Sequence, residues 1–366
     1  MNLQRLNKFR EILKKEKVDA FLVSNYYNIL YLSGFATLVD NEREAWLFVT
    51  QDNQYLFSDE RYLNTNSSKK FLILTPEAGL IKQLTDIIKT EKISSVGFEG
   101  EDLKYFEFEK FNQFLKNTKL ISTNRLIAKI REIKDVDEIE NLKKSCEITD
   151  QCFSDIGKTI RIGTSEKEIT FKMEMFLKDK GHDFSFYPIV AIDNNSAIAH
   201  YDTRSGNNEK VKNGSIVLID FGVKYKKYLS DMTRMIFVGE VNNEIINTYQ
   251  NLSLAQEKTI QYINMVKSHD NYPYKEVDKF CRQKLVEVNL PNYSHSTGHG
   301  VGLEIHEYPK ISFTSEDKIK AHQIITIEPG VYINGKWGMR VEDTVLINED
   351  KQPIVLTKFS KKTLLI

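Results

Sequence analysis

The stretch His295–Glu307 has the sequence HSTGHGVGLEIHE, and the interpretation of the whole chain starts from it. It holds three of the chain's seven histidines. Glycines flank His299 on both sides, which leaves room around its ring and a backbone that is free to bend. A neutral imidazole in such a setting suits a ligand of Mn, Fe, Co or Zn. The alternative is a glycine-rich turn with hydrogen-bonded histidines, so a metal site requires further ligands elsewhere in the chain.

Composition limits the class of protein. The chain has 366 residues, of which 41% are hydrophobic and 28% charged, and this predicts a globular protein of about two domains. Fifty-one basic residues balance 51 acidic ones, so no positive field is available to attract nucleic acid or an anionic membrane. The three cysteines, Cys146, Cys152 and Cys281, show no disulfide framework, which is typical of a reducing compartment.

The N-terminal segment, Met1–Lys17, is amphipathic and rich in charge, and it lacks the apolar core of a signal peptide. No run approaches the roughly 18 apolar residues of a membrane span. We therefore expect a cytoplasmic protein that binds neither membrane nor nucleic acid.

The first part of the chain alternates short apolar runs with helical patterns, which predicts a compact α/β domain over residues 1–125. Its predicted strands are Val18–Ser24, Ile29–Phe35, Ala45–Thr50, Gln54–Ser58, Phe71–Leu74 and Ile93–Phe98. The remainder, residues 126–366, forms a second domain in which Asp135 and Glu138 predict a capping box at the start of a long helix. The order of helices and strands in the whole chain predicts the α+β class.

Two aspartates lie in apolar segments that predict a β-hairpin. Asp220 lies inside the strand Ser215–Val223, and Asp231 lies in the strand Tyr228–Val238. A buried carboxylate without a partner costs several kcal/mol or keeps its proton, and a bound cation removes that cost. Either aspartate alone is explained as a turn residue at a strand end, but the pair favours a metal site.

Two glutamates complete the set of candidate ligands. Glu328 ends the strand His322–Glu328, and Glu342 lies within the apolar strand Met339–Ile347. Four carboxylates and one imidazole carry too much negative charge for one divalent ion and suit two. Such oxygen-rich sites favour Mn²⁺ first, then Fe²⁺, Co²⁺ or Zn²⁺, and paired metals are typical of metal-assisted hydrolysis.

These residues, in this order, resemble the pita-bread metallopeptidases, which include methionine aminopeptidase, Xaa-Pro aminopeptidase and prolidase, with creatinase as a metal-free relative. Seven motifs carry the resemblance across the C-terminal half: His200-Tyr201, Ile219–Gly222, Ser230–Arg234, His295–Gly302, His306–Pro309, Ile327–Gly330 and Arg340–Thr344. The α/β domain that precedes them is similar to the N-terminal domain of the proline-specific branch. The resemblance therefore implies a C-terminal pita-bread (creatinase/aminopeptidase) fold with a smaller α/β N-terminal domain.

The resemblance also implies a role for each site residue. Asp220 would chelate one metal, Asp231 and Glu342 would bridge both, and His299 and Glu328 would complete the ligand set of the second metal. His306 would stabilise the oxyanion or move a proton. His200 and His295 would line the substrate pocket, and Arg340 would orient carboxylates or assist proton movement. For His200, His295 and Arg340 a purely structural hydrogen bond is the alternative.

The implied function is hydrolysis of the bond before proline in peptides with proline at the second position. The resemblance also implies a homodimer with two divalent metal ions per subunit. We expect an Xaa-Pro aminopeptidase, which the pair His200-Tyr201 favours, and keep the Xaa-Pro dipeptidase (prolidase) as the alternative. A non-catalytic binding module and a metal-free hydrolase are further alternatives. The first would have a broken ligand set, whereas here all five ligands are present.

Overall fold

The computed structural model describes residues 3–39, 42–65, 71–75, 79–362 and 364–365. Contacts divide the chain into two compact units, Met1–Arg131 and Glu132–Ile366. This division lies after the helix Leu126–Arg131, whereas the boundary expected from the sequence, at 125/126, lies before it.

The first unit is built on a mixed β-sheet. Its strands are β1 (Ala20–Val23), β2 (Ala45–Thr50), β3 (Gln54–Ser58), β4 (Phe71–Ile73), β5 (Ser95–Glu99) and β6 (Lys119–Thr123). Its helices are α1 (Leu3–Lys15), α2 (Tyr26–Ser33), α3 (Leu80–Thr90), α4 (Tyr105–Phe114) and α5 (Leu126–Arg131). The six described strands have the order β4-β3-β2-β1-β5-β6. Buried side chains of β1, β2 and β5 pack with those of α3 and α4 in one core.

One predicted strand of this unit is wrong. The segment Ile29–Phe35 was expected to be extended, but most of it belongs to the helix α2. The side chain of Asn25 caps this helix by accepting a hydrogen bond from the backbone N–H of Asn28. Gly34 ends it in the left-handed conformation, with φ 75°. A short apolar run is compatible with a helix or a strand, and here the capping residues at the two ends favour the helix.

In its described residues, the second unit combines four α-helices with several largely antiparallel sheets. The helices are α6 (Val136–Gly157), α7 (Glu166–Asp179), α8 (Asn243–Val266) and α9 (Tyr274–Glu287). The strands are β7 (Asp183–Phe184), β8 (Ile189–Ile192), β9 (Ile216–Phe221), β10 (Val223–Tyr225), β11 (Tyr228–Leu229), β12 (Met232–Phe237), β13 (Gly298–Gly300), β14 (Glu307–Ile311), β15 (Ile324–Ile327), β16 (Gly330–Ile333), β17 (Trp337–Arg340), β18 (Asp343–Ile347), β19 (Pro353–Val355) and β20 (Leu364–Leu365).

Two sheets of this unit carry the predicted site. One has the order β20-β12-β9-β8, and the other has the order β14-β13-β15-β18-β19. The predicted capping box of Asp135 and Glu138 is confirmed at the start of α6. No helix in the described part of the chain combines the length and apolar character that crossing a membrane requires.

The segment that opens the second unit is built into it by polar contacts. The buried Glu132 accepts hydrogen bonds from Gln323 and Lys320. The ammonium group of Lys134, with a fully buried side chain, lies 2.6 Å from Oε1 of Glu307, and the backbone N–H of Lys134 donates to the carbonyl of His322. Residues 132–134 therefore belong structurally with the strands that surround the histidine stretch.

Candidate metal centre

The hairpin of β9 and β12 places the two aspartates. The strands pair in antiparallel register with Asp220 opposite Thr233, and Asp231 lies directly before β12. Both carboxylates are largely buried, and Oδ1 of each has no hydrogen-bond partner among the described residues. A buried, unsatisfied acceptor is rare in a folded protein, so these two oxygens fit the role of cation ligands.

His299, Glu328 and Glu342 reach the same place from the neighbouring sheet. His299 is in β13, Glu328 follows β15, and Glu342 lies between β17 and β18. The sequence predicted one continuous strand over Met339–Ile347, but the strand is interrupted at Val341-Glu342. Because of this interruption, the Glu342 side chain does not follow the alternating side-chain orientation of a regular strand.

The glycines beside His299 have a different role from the one expected. A Cβ atom at Gly298 would lie 1.9 Å from the carbonyl oxygen of Thr326, and one at Gly300 would lie 2.2 Å from that of Tyr308. The glycines therefore allow β13 to approach its two neighbouring strands, and this close packing fixes the position of His299.

The five predicted ligands lie together in the structure. Ligand atoms of Asp231, His299 and Glu342 all lie within 4.8 Å of one another. Nε2 of His299 is 3.3 Å from Oε1 of Glu328 and 3.7 Å from Oδ2 of Asp231. Nδ1 of His299 is 3.0 Å from the carbonyl oxygen of Gly300, which can only accept, so Nδ1 carries the proton and Nε2 presents a lone pair to the carboxylates.

The electrostatics of this cluster also favour bound cations. Burial, and then the neighbouring carboxylates, raises the pKa of Asp231 and of Glu342 well above the usual range. Burial raises the pKa of Glu328 to about 8, although Arg340 opposes the shift. Burial lowers the pKa of His299 to about 3, which keeps its ring neutral. Acidic groups that cannot all ionise without countercharge, beside a neutral imidazole, fit divalent metal ions.

Arg340 lies beside the cluster with only 3% of its surface exposed. Its guanidinium donates to a carboxylate oxygen of Asp220, to Oγ1 of Thr233 and to the hydroxyl of Tyr332. It also donates to the carbonyl of Ala199, at 3.2 Å, in the residue before His200. The structure thus brings the predicted Arg340 into contact with one predicted ligand and with the segment that carries His200.

The other predicted histidines occupy two different positions. His200 and His306 line a cavity of about 270 Å³ together with the five ligands, and the ring of His306 is 4.4 Å from that of His299. His295 is not among the residues that line this cavity. Its Nδ1 is 2.8 Å from the carbonyl oxygen of Ser296 and 3.9 Å from Glu328, and its ring stacks on Tyr293. Burial lowers the pKa of His295 to about 4.

A family model described as metallopeptidase family M24 matches residues 140–349, and one described as the creatinase/prolidase N-terminal domain matches residues 5–133. The chain belongs to metallopeptidase family M24. It is 32% identical to the Xaa-Pro dipeptidase of Pyrococcus furiosus, over 95% of this chain and 96% of that protein.

Solved structures agree with this assignment. The Xaa-Pro dipeptidase from Bacillus anthracis superposes with a TM-score of 0.88 and 28% identity, covering 100% of this chain and 99% of the other. The X-Pro aminopeptidase from Thermotoga maritima gives a TM-score of 0.87 and 27% identity, with 99% of each chain covered. The predicted fold, a C-terminal pita-bread fold preceded by a smaller α/β domain, is confirmed, and the chain is a metallopeptidase.

The sequence did not predict which residues hold the segment around His200 in place in this M24 metallopeptidase. The hydroxyl of Tyr201 donates to Oε2 of Glu166, at 2.9 Å, in the first turn of α7. Glu166 is fully buried and also accepts from Asn195 and from the backbone N–H groups of Ile192 and Glu209. Acidic residues are also common in the first turn of helices at exposed sites, so the sequence does not indicate that Glu166 is buried.

A second missed feature is a buried ion pair behind the ligands. Arg234, in β12, donates from Nη2 to Oδ1 of Asp343 at 2.6 Å, and both side chains are at most 1% exposed. Asp343 also accepts from Gln256 and Lys361. Arg234 donates in addition to the backbone carbonyl of Glu342, so this pair holds the backbone that carries one of the predicted ligands.

Proposed function

We propose that this M24 metallopeptidase is an Xaa-Pro dipeptidase, which hydrolyses the bond between the first residue and a following proline. The aminopeptidase was the expected function, but the two relatives named above as Xaa-Pro dipeptidases support the alternative better. The observation that carries the proposal is the cluster of five candidate ligands that lines a cavity of about 270 Å³. This volume lies below the ~300–1,000 Å³ of pockets for drug-sized ligands and suits a dipeptide.

Asp220, Asp231, His299, Glu328 and Glu342 would together hold two divalent metal ions. Mn²⁺ is the proposed metal, with Co²⁺, Fe²⁺ and Zn²⁺ as alternatives. When bound, two such ions polarise the scissile carbonyl and make a nucleophile available at neutral pH.

Residues around the ligands hold their carboxylates in place. Arg340 fixes one oxygen of Asp220, which leaves the other oxygen, Oδ1, for a metal. Oγ1 of Thr233 donates to Oε2 of Glu342 at 2.7 Å and accepts from Arg340 at 3.1 Å. Because these contacts satisfy one oxygen of each carboxylate, they orient the remaining oxygen before any ligand binds.

We propose that His306 and His200 interact with the developing oxyanion of the reacting amide and transfer its proton. Burial, and then proximity to His200, lowers the pKa of His306, so its ring is neutral near pH 7. A neutral imidazole can donate a hydrogen bond to a developing oxyanion and accept a proton at its other nitrogen. Phe186, Ile189 and Ile305 form an apolar wall of the same cavity, which suits a pyrrolidine ring.

We also propose a cytoplasmic homodimer with the functional domain limits 1–125 and 126–366. Three buried, unpaired cysteines support a reducing compartment. The homodimer follows from the family resemblance, and sedimentation equilibrium of the metal-loaded protein would test it.

The decisive experiment offers the Mn²⁺-loaded protein an Xaa-Pro dipeptide and an Xaa-Pro-Yaa tripeptide. Cleavage of the dipeptide alone is the expected result. Efficient cleavage of the tripeptide would show an aminopeptidase, and cleavage of neither would refute the proposed function. Activity that survives complete chelation would show a metal-free hydrolase.

A matched pair of variants tests the metal centre. Glu342→Gln should lose bound metal, measured by elemental analysis, together with peptide hydrolysis. Glu349→Gln, the same substitution at an exposed residue seven positions further on, should change neither. Unaltered metal content and hydrolysis in Glu342→Gln would refute the proposed two-metal centre.

A further inference from the structure

The outer part of the cavity carries a positive charge that the proposed metal chemistry does not use. Among the described residues that line the cavity, Arg204 and Arg340 are the permanently charged cations. They differ in exposure, since the side chain of Arg204 is 63% exposed and that of Arg340 is 3% exposed. Arg204 therefore faces the solvent side of the cavity, and Arg340 lies in the protein interior.

The two arginines also differ in how many of their donors are occupied. Each of the three guanidinium nitrogens of Arg340 already donates to protein oxygens. Arg204 uses Nε for a hydrogen bond of 2.9 Å to Oδ1 of Asp202, and its Nη groups make no hydrogen bond within the described part of the chain. The guanidinium of Arg204 thus offers free donors to a ligand in this cavity.

The free donors of Arg204 are held in a defined orientation. Its guanidinium carbon lies 4.7 Å from the centre of the Tyr187 ring, which also lines the cavity. Asp202 is fixed in turn, because it accepts from the backbone N–H of Arg204 at 3.1 Å and from the hydroxyl of Ser205 at 3.0 Å. Stacking on one face and an ion pair at Nε leave the planar Nη edge to bind an anion, and a planar carboxylate matches it in two hydrogen bonds.

The substrate class of the proposed function supplies such an anion. In an Xaa-Pro dipeptide the negative α-carboxylate is attached to the proline, on the side of the scissile bond opposite to the amino group. In a longer peptide this position is a neutral amide, and the carboxylate lies at least one residue further away. Arg204 attracts a carboxylate and repels the cationic amino end, so it also favours one direction of binding.

We propose that Arg204, held by Asp202 and Tyr187, binds the free carboxylate of the dipeptide and selects dipeptides over longer peptides. This inference rests on the proposed function, and it names a specificity-determining residue outside the metal centre. It assigns to Arg204 an effect on substrate binding and none on the chemical step.

The test compares two substrates of the same size, Ala-Pro and its neutral amide Ala-Pro-NH₂, with the Mn²⁺-loaded wild-type protein and with Arg204→Gln. Arg204→Gln should raise KM for Ala-Pro about tenfold, the lower end of what a charge-assisted hydrogen bond contributes, because the site is partly exposed. Its kcat for Ala-Pro, and both constants for the amide, should stay near the wild-type values. Arg204→Lys keeps the charge without the planar fork and should give an intermediate KM.

The control is Arg161→Gln, an equally conservative change at an exposed arginine outside the cavity, which should leave both substrates unaffected. Equal changes for Ala-Pro and its amide, or a lower kcat for both, would show a structural role and overturn the inference. No change in Arg204→Gln would overturn it as well. A wild-type protein that cleaves neither substrate refutes the proposed function itself. If the wild type cleaves both and Arg204→Gln changes KM for both by the same factor, only the role of Arg204 is refuted.

Discussion

The buried pair of Arg234 and Asp343 gives a prediction whose size can be worked out from the structure. The substitution Asp343→Asn keeps the shape of the side chain but leaves Arg234 buried without its counter-charge. Removing one partner of a buried pair costs about 3–5 kcal/mol. At about 2–4 °C per kcal/mol for a unit of this size, the unfolding midpoint of the second unit should fall by roughly 6–20 °C.

Differential scanning calorimetry of the metal-free protein measures this effect without a contribution from metal affinity. The matched control is Asp270→Asn, because Asp270 pairs with Lys351 at 3.0 Å but is 89% exposed. An exposed pair contributes about 0–1 kcal/mol, so the control should remain within a few degrees of the wild type. If Asp343→Asn shifts the midpoint no more than Asp270→Asn does, the assignment of a stabilising buried pair is wrong.

The same pair predicts a pH dependence. Burial alone would raise the pKa of Asp343, but Arg234 and Lys361 outweigh burial and lower it from 3.8 to about 2. A carboxyl group whose pKa is lower in the folded state stabilises the protein above its unfolded pKa and loses that effect as the pH falls towards its folded pKa. The stability difference between the wild type and Asp343→Asn should therefore shrink between pH 4 and pH 2, as measured by chemical unfolding at each pH.

Three further predictions concern other parts of the molecule. The thiols of Cys146, Cys152 and Cys281 are buried and have raised pKa values, so a thiol reagent at pH 8 should label them only after unfolding, and rapid labelling of the native protein would contradict this burial. Tyr201→Phe removes a donor from the buried Glu166 and should cost about 1–3 kcal/mol in urea unfolding, whereas an unchanged midpoint would mean that Glu166 has other donors to replace it. Chelation should lower the thermal midpoint by roughly 5–10 °C relative to protein with metal at about 100 times its Kd, and equal midpoints would mean that the folded protein does not bind the metal selectively.

The five candidate metal ligands could be predicted from the sequence because their physical signal is strong. Asp220 and Glu342 are acidic residues within otherwise apolar segments, where an uncompensated charge is costly, so in combination with the other candidates they predict a metal site. The structure places both beside Asp231, His299 and Glu328. In contrast, the mistaken strand at Ile29–Phe35 came from a short apolar run whose period does not separate helix from strand.

The supporting contacts could not be predicted because they join residues that are far apart in the chain. Glu166 and Tyr201 are separated by 35 positions, and Arg234 and Asp343 by 109. Nothing local distinguishes these charged residues from solvated ones. The reason for Gly298 and Gly300 also depended on the neighbouring strands, since only the fold shows which carbonyl oxygens a side chain there would meet.

The contacts of residues 132–134 limit how the catalytic unit can be isolated. A protein that started at residue 140, where the match to the M24 family model begins, would lack Lys134. Glu307, directly after His306, would then keep a buried carboxylate without this cation. Truncated proteins and fusions to other N-terminal domains should therefore keep the chain from Glu132 onwards. This short segment contributes buried contacts to the peptidase unit and is not an exchangeable linker.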